Sequence, residues 1–555
     1  MNKYKYLTIL LLSITPLFCN GQIDFNYDFK KYQFSQSNDD DLIDLNLFDI
    51  ENVALYTFRR NPAFYDLYYN NNDFFASINM HKINKSVLIC SLTNRKDDGN
   101  YLHYNGDRIS SRHFLAGSEK KLDMGTLFGA IALETSTNKN VHLNYASDAQ
   151  DYYPYLVGDT LGKGTIDYKR HMIKGGFSFN HKGITYGFSG SYKGITSAKQ
   201  VDPRISTYSS WLRLNFGIAF IKDNTLFAFK IYPEFNRQNI SANNYYNQSA
   251  TYHQYYGFGL WRDDEIVAGN GYASLLTING YGVDLSILTP QKNGYAISYN
   301  VVYNHRIMDT ETVHSNGGTM TYKNLFSFTN HHFKPQISIS KTTKTYSLHL
   351  TIVSNNNKKN GTEYIYDKVL VNKQQNLYAE RKLGKNEMYQ QVSSDNNVYF
   401  KITKQLSHQH SLSILTGARH LYFKEKYKFP TKKIINNSIT SNIGLEYRTQ
   451  FKKYDFQVQS RYHITKSFKN TFDVPIEKAV IQQAYIPYAI RSGKNRRLIT
   501  NMTCACKMNN NKSIGINLLY KHYNREHVSD YKISNDTWTK DHKTEKYQIS
   551  LFYTF

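Results

Sequence analysis

The last nine residues constrain this chain more than any other stretch. Tyr547, Ile549, Leu551, Tyr553 and Phe555 fall on one face of an extended segment. Lys546, Gln548, Ser550 and Thr554 fall on the other, with Phe552 as the exception. A period of two with a large apolar face fits a strand that has hydrocarbon on one side and water on the other.

The front of the chain agrees with the back. Lys3 and Lys5 precede an apolar run from Leu7 to Phe18 and then Cys19, Asn20, Gly21 and Gln22. This pattern predicts a signal peptide over residues 1–21, too short for a permanent spanning helix, with cleavage after Gly21. Cys19 raises lipidation as an alternative, but Phe18 stands where a lipoprotein signal wants a small residue. No later window offers the roughly 20 unbroken apolar residues of a transmembrane helix.

Composition decides between the remaining exported classes. Hydrophobic residues make up 40% of the chain, and the mean hydropathy of −0.57 alone would indicate a water-soluble protein. Yet aromatics reach 15%, with 48 Tyr, and there are only 10 Pro. A barrel escapes the hydropathy test because only alternate residues of each strand need be apolar, and abundant Tyr fits aromatic girdles at the two interfaces. A β-sandwich array should show Pro-rich linkers and a repeat period, and neither is seen. The net charge of +24 fits loops facing lipopolysaccharide phosphates or an anion-tolerant lumen; export argues against nucleic acid. Cys90, Cys504 and Cys506, an odd set, do not form a disulfide framework.

Residues 22–73 read as an N-terminal extension, periplasmic or tucked into a lumen. It contains Asp39, Asp40, Asp41 and Asp44, and ends near Asn70, Asn71 and Asn72. The acidic run lacks the Gly and ligand spacing of a calcium loop. From residue 74 to 555 strands alternate with turns, as around Lys182-Gly183, Asp223-Asn224, Lys452-Lys453 and Asn509 to Asn511. The expected fold is all-β: a single transmembrane antiparallel barrel of about 16 strands (14 to 18), with short periplasmic turns and long outer loops. Longer polar connections are expected near 139–165, 237–270, 309–320, 354–396 and 470–495, facing outward.

Candidate chemistry is sparse. Cys504 and Cys506 share a face with Leu498, Met502 and Met508, so they read as small apolar groups facing lipid. His408 and His410 fall in a turn between the arms Val398–Leu406 and Leu412–Thr416, and His331 and His332 point to opposite faces of a strand, so neither pair is expected to make a metal site. No G-x-S-x-G, H-E-x-x-H or phosphate-binding loop occurs, and Gly280-Tyr281-Gly282 is too short a match. Asp263, Asp264 and Glu265 read as a solvated loop cluster. No catalytic, metal or cofactor site is predicted. The charged residues expected to face the lumen are Lys174, Lys193, Arg213, Glu446, Arg448 and Arg461, which would tune selectivity or close the lumen by ion pairs.

Four blocks occur in order: Asn61-Pro62-Ala63, Tyr153-Pro154-Tyr155 running to Gly158-Asp159-Thr160, Asp202-Pro203-Arg204, and Lys292-Asn293-Gly294-Tyr295. Together they resemble a domain-of-unknown-function family of Gram-negative outer-membrane β-barrel proteins. The terminal Phe555 likewise matches the aromatic-ended last strand of such barrels. That resemblance implies outer-membrane lipid, lipopolysaccharide and the barrel-insertion machinery as partners. Tyr547, Ile549, Leu551, Tyr553 and Phe555 would be the insertion signal. It transfers no catalytic or binding residue. Asn61-Pro62-Ala63 is also similar to barrel proteins of type IX secretion and gliding. The function expected is accessory to nutrient uptake or envelope transport, with envelope transport proteins as candidate partners. A secretion component and a barrel enzyme acting on lipid or peptide are the alternatives.

Overall fold

The computed structural model describes residues 60–64, 67, 86–99, 101–142, 144–159, 163–243, 251–257, 261–267, 271–289, 294–316, 319–372, 377–474, 493–508, 512–526 and 542–555. The signal segment, the acidic run and Asn509 to Asn511 lie outside these residues.

Alternation along the chain becomes a wall turned inside out. The first strands are β1 (Ser86–Asp98), β2 (Arg108–Leu122) and β3 (Gly125–Val141). After a one-turn helix α1 (Ala149–Tyr152) and a short strand β4 (Tyr155–Asp159) come β5 (Gly164–His181), β6 (Ile184–Lys199), β7 (Arg204–Lys222) and β8 (Thr225–Asn243). Two short strands, β9 (Thr251–Tyr256) and β10 (Arg262–Val267), precede β11 (Gly271–Leu288), β12 (Tyr295–Asn316) and β13 (Thr319–Thr342). The longest pair is β14 (Tyr346–Asn372) with β15 (Leu377–Gln405). Then follow β16 (His410–Tyr427), β17 (Lys432–Phe451), β18 (Tyr454–Ser467) and the three-residue β19 (Thr471–Asp473). The chain closes with β20 (Asn495–Lys507), β21 (Ser513–Arg525) and β22 (His542–Thr554).

Eighteen of these strands pair antiparallel with their neighbours in one continuous circuit, and β22 closes it on β1. β19 adds a short pairing to β17. The expectation of about 16 strands is therefore low by two. Turns as short as Lys182-Gly183 make the repeat shorter than assumed. Closure leaves no exposed edge among the wall strands.

Strand β8 shows the inversion. Phe229, Ile231 and Phe235 on its outer face are 39%, 43% and 47% exposed, while Lys230, Glu234, Asn236 and Gln238 on its inner face are buried. Water would not tolerate such an outer surface around the whole circuit, whereas hydrocarbon would. Leu498 and Met502 are exposed in the same belt, as is the free Cys504, with Cys506 partly covered.

Two expected loops are strand instead. Residues 309–320 and 354–396 lie almost entirely in β12 to β15. Above the hydrocarbon, paired backbone does not need apolar alternation, so Asn- and Lys-rich sequence continues the ladder. The described parts of two other expected outer loops do not face outward. Within residues 144–159 and 251–267, β4, β9 and β10 form a separate three-stranded sheet. Its side chains share an apolar core with the inner wall, in which Tyr155, Leu156, Tyr252, Tyr255 and Trp261 are at most 1% exposed. Asp263 to Glu265 belong to β10, a strand rather than a loop.

Candidate functional site in the lumen

The lumen has three built zones, and the wall residues that meet them fix their order. Wall residues that share the inner sheet's apolar core include Ile166, Ile195, Ile205, Ile240, Phe326 and Ile434, all in the half of their strands away from the tight turns such as Lys182-Gly183, Asp223-Asn224 and Lys452-Lys453. The sheet is thus a plug seated at the loop end. Tyr155 stacks on Phe326 with centroids 4.6 Å apart, and Trp261 lies parallel to Tyr427.

Wall lysines hold the plug's polar groups. Lys359 Nζ donates to the Tyr153 carbonyl at 2.6 Å, and Lys432 Nζ to the Trp261 carbonyl at 2.5 Å. Lys193 Nζ meets Asp148 Oδ2 at 2.9 Å. Tyr152 donates to Asn236, and Gln238 Nε2 donates back to the Tyr152 hydroxyl at 3.1 Å. Burial pushes the Tyr152 and Tyr155 phenols well above their usual range, so both stay neutral.

At the turn end a second segment enters. Asn61 Nδ2 donates to the carbonyls of Ile218 and Phe229 at 3.2 and 2.9 Å. These two residues face each other across β7 and β8. Ala63, Phe64 and Leu67 pack against Ala219, Leu226, Ala228 and Leu288. The close approach requires glycine: a Cβ at Gly217 would lie 1.8 Å from Asn61 Oδ1, and one at Gly187 would lie 2.1 Å from the Ala63 nitrogen. Arg60 reaches Asn300 Oδ1 at 2.9 Å and Asp284 at 3.8 Å, beside Lys230. The Asn61-Pro62-Ala63 block is thus a turn seated against the inner wall of the barrel.

Between plug and turn end, the β15 to β20 wall encloses a pocket. It is lined by Tyr399, Arg419, Thr440, Asn442, His463, Thr465 and Arg497. On β17, Ile434 touches the plug, Thr440 and Asn442 line the pocket, and Glu446 lies below them. Arg419 is gripped by Asp395 at 2.8 and 3.0 Å, and Arg497 donates to the Tyr523 hydroxyl at 2.7 Å. The Arg497 and Arg525 guanidiniums both stack on the Tyr523 ring.

The residues singled out in the sequence fall as follows. Arg213 lies with Arg306 on the buried Glu234, at 2.5 Å for the Arg213 pair. Glu446 accepts from Lys401 and Gln459, each at 2.9 Å. Arg461 is 1% exposed on the inner face, and Lys174 is half-buried on that face. Arg448 departs from this group: it lies at the turn-end rim, about half exposed, paired with Asp455 at 2.6 Å. Its strand has already reached water there. In the C-terminal set, Tyr547, Ile549 and Leu551 are 51%, 49% and 57% exposed on the outer wall. Phe555 instead is buried, stacked on Tyr553, with its nitrogen donating to the Ser86 carbonyl. His408 lies in the turn before β16, and His331 accepts or donates at 2.9 Å to Tyr303. Among the described residues no three His, Cys, Asp or Glu side chains gather as a metal site.

Sequence reading allowed a closed lumen but missed that two connections supply the plug, and it missed the pocket. The plug's signal was present in the Tyr-rich blocks 152–156 and 252–256, which is unusual chemistry for solvated loops. The pocket had none, because its donors come from five strands.

Residues 79–555 match the model of a family described as "Family of unknown function (DUF6850)". No curated protein matches the chain. Among solved structures, it is similar to the siderophore receptor PiuA from Acinetobacter baumannii, with 9% identity, a TM-score of 0.40, and coverage of 84% of this chain and 82% of that one. It is also similar to the copper transporter OprC, with 7% identity, a TM-score of 0.38, and coverage of 86% and 82%. A third is BauA, the ferric preacinetobactin receptor from Acinetobacter baumannii, with 8% identity, a TM-score of 0.37, and coverage of 85% and 81%.

Proposed function

The chain belongs to DUF6850, a family of unknown function, and from its geometry we propose a gated outer-membrane barrel accessory to nutrient uptake. The observation that supports this most is the plug. An 18-stranded wall is wide enough for an aqueous lumen, yet the protein fills its loop end with its own folded sheet. A scaffold needs no lumen at all, and a passive pore needs no closure. A wide wall with a removable stopper and a polar chamber behind it is the arrangement of a gate.

In this reading the loop end faces outward, the turn end faces the periplasm, and the chain arrives through its signal peptide. The plug is held by buried stacking and by three lysines on its carbonyls and Asp148. It can therefore loosen without breaking the wall.

The test is conductance of the refolded protein in planar bilayers. The intact barrel is expected to be electrically silent. A variant lacking 146–159 and 251–267, with its fold checked by a heat-modifiable gel shift, should carry a steady current. A steady current through the intact protein would make it an open pore, and a silent plug-less barrel would remove the gate.

A further inference from the structure

We propose that the turn-end rim is a docking surface for anionic phospholipid, holding headgroup phosphates against lysines set just beyond the apolar belt. The proposal goes beyond the gate and does not depend on it. One patch lies on the outer face of β12 to β15. Tyr295 and Tyr346 are exposed there, with Lys341 opposite Tyr295 in the ladder and Lys404 opposite Tyr346. A second patch joins β17 to β18, where Phe451 and Tyr454 are exposed on either side of the turn residues Lys452 and Lys453.

Both patches have the same build. Lys341 Nζ lies 4.6 Å from the Tyr295 ring centroid, Lys452 Nζ 5.5 Å from that of Phe451, and Lys453 Nζ 5.7 Å from that of Tyr454. An ammonium over a ring face is attracted by the ring quadrupole and keeps hydrogens to donate outward. Next to the rings the outer wall is apolar, with Ile337, Ile402, Leu412 and Phe456 exposed. Aliphatic wall, aromatic ring and ammonium thus follow one another toward the turn end. Acyl chain, interface and headgroup phosphate of a lipid follow in the same order.

The two ends of the barrel treat their surface cations differently. At the loop end Lys96 meets Asp98 at 2.9 Å, Lys428 meets Glu387 at 3.2 Å, and Lys494 and Arg496 both meet Glu526 at 3.2 Å. At the turn end Arg448 takes Asp455. Among the described residues, Lys341, Lys404, Lys452 and Lys453 make no ion pair. Cations left unpaired on the circumference draw an anion from outside, and there the neighbouring molecule is lipid. A protein approaching along the barrel axis would meet the open end rather than these ring-backed flanks.

Spin-label electron paramagnetic resonance tests this on the full chain refolded into phosphatidylcholine vesicles. The probes are trace spin-labelled phosphatidylglycerol and spin-labelled phosphatidylcholine, and the immobilised fraction of each reports its association with the wall. Phosphatidylglycerol is expected to associate about fivefold more strongly at low salt, as one lysine facing one anionic headgroup gives. That preference should shrink in about 1 M salt. Combining Lys341→Gln, Lys404→Gln, Lys452→Gln and Lys453→Gln should abolish most of it, with folding checked by the heat-modifiable gel shift. A second variant, Arg112→Gln with Lys169→Gln and Arg237→Gln, removes exposed cations from the loop half of the wall and should keep it. Equal association of the two lipids overturns the docking surface. So does an unchanged preference in the first variant, or a loss at least as large in the second. The readout involves no current, so it stands or falls apart from the gate.

Discussion

The plug and the pocket occupy the same lumen and are built by opposite means. The plug is an aromatic core: Tyr155, Tyr252, Tyr255 and Trp261 are buried against the aliphatic ends of wall strands. Its cohesion comes mostly from apolar area, which has no directional demand, with ring geometry and the Lys193, Lys359 and Lys432 bonds added. The pocket is held by Arg419 on Asp395, Lys401 on Glu446 and Arg497 on Tyr523, where every partner is a specific atom. An apolar stopper can slide or loosen in steps, whereas an ionic chamber must keep its geometry to remain satisfied. One lumen thus combines a mainly apolar part with an ionic one.

That contrast can be broken at the plug first. Trp261→Ala removes its largest buried side chain and should cost about 3–5 kcal/mol of plug seating. Conductance bursts in bilayers would report it, while the urea midpoint of the wall should hold. If the midpoint falls with it, plug and wall are one unit.

Glu234→Gln attacks the wall next to the plug, where the carboxylate neutralises both Arg213 and Arg306. Leaving those charges against a neutral amide should destabilise the barrel by about 3 kcal/mol. A urea midpoint in lipid vesicles measures this. An unchanged midpoint would mean water already screens the triad.

The third test uses pH at the loop end. His103, in the connection after β1, stacks on His142 at 4.1 Å, and burial, with His142 beside it, lowers its pKa to about 2. The folded loop therefore refuses a proton that the opened loop accepts near the ordinary value of 6.5. Stability is complete above pH 6.5 and falls as the pH drops below it, by up to about 1.4 kcal/mol per unit. Hydrogen-exchange protection of Leu102 to Gly106 should drop between pH 7.5 and 5.5, and His103→Asn should remove that dependence. Equal protection at both pH values would place the ring in solvent.

The smallest effect is expected at the rim. Arg448→Gln loses an ion pair to Asp455 that is half exposed, worth under about 1 kcal/mol. A larger shift in the urea midpoint would mean that the rim pair is shielded in the membrane.

The wall was legible because its cause is local. Tight turns at Lys182-Gly183, Asp223-Asn224 and Lys452 take the positive φ that twisted hairpins require, and lipid forces each arm between them to alternate. The plug was not legible, because an apolar loop reads the same whether it caps the barrel or enters it. Only the pairing of Tyr155 with Tyr256, a contact about a hundred residues apart, decides which. The six charged residues were chosen by inward parity alone. Parity gives the face of a strand and not its height, so it could not tell the rim position of Arg448 from the interior. The pocket needs the order of strands around the circuit, a property of closure rather than of any segment.

The unequal strands have a consequence of their own. Strands β14 and β15 have 27 and 29 residues while β20, β21, β22 and β1 have 13 each. At about 3.3 Å per residue the tall pair runs roughly 90 Å, about twice the low flank. Among the described residues the wall is therefore a slanted parapet with a front and a back, and a body lying alongside these strands in the membrane plane meets either a cliff or a threshold.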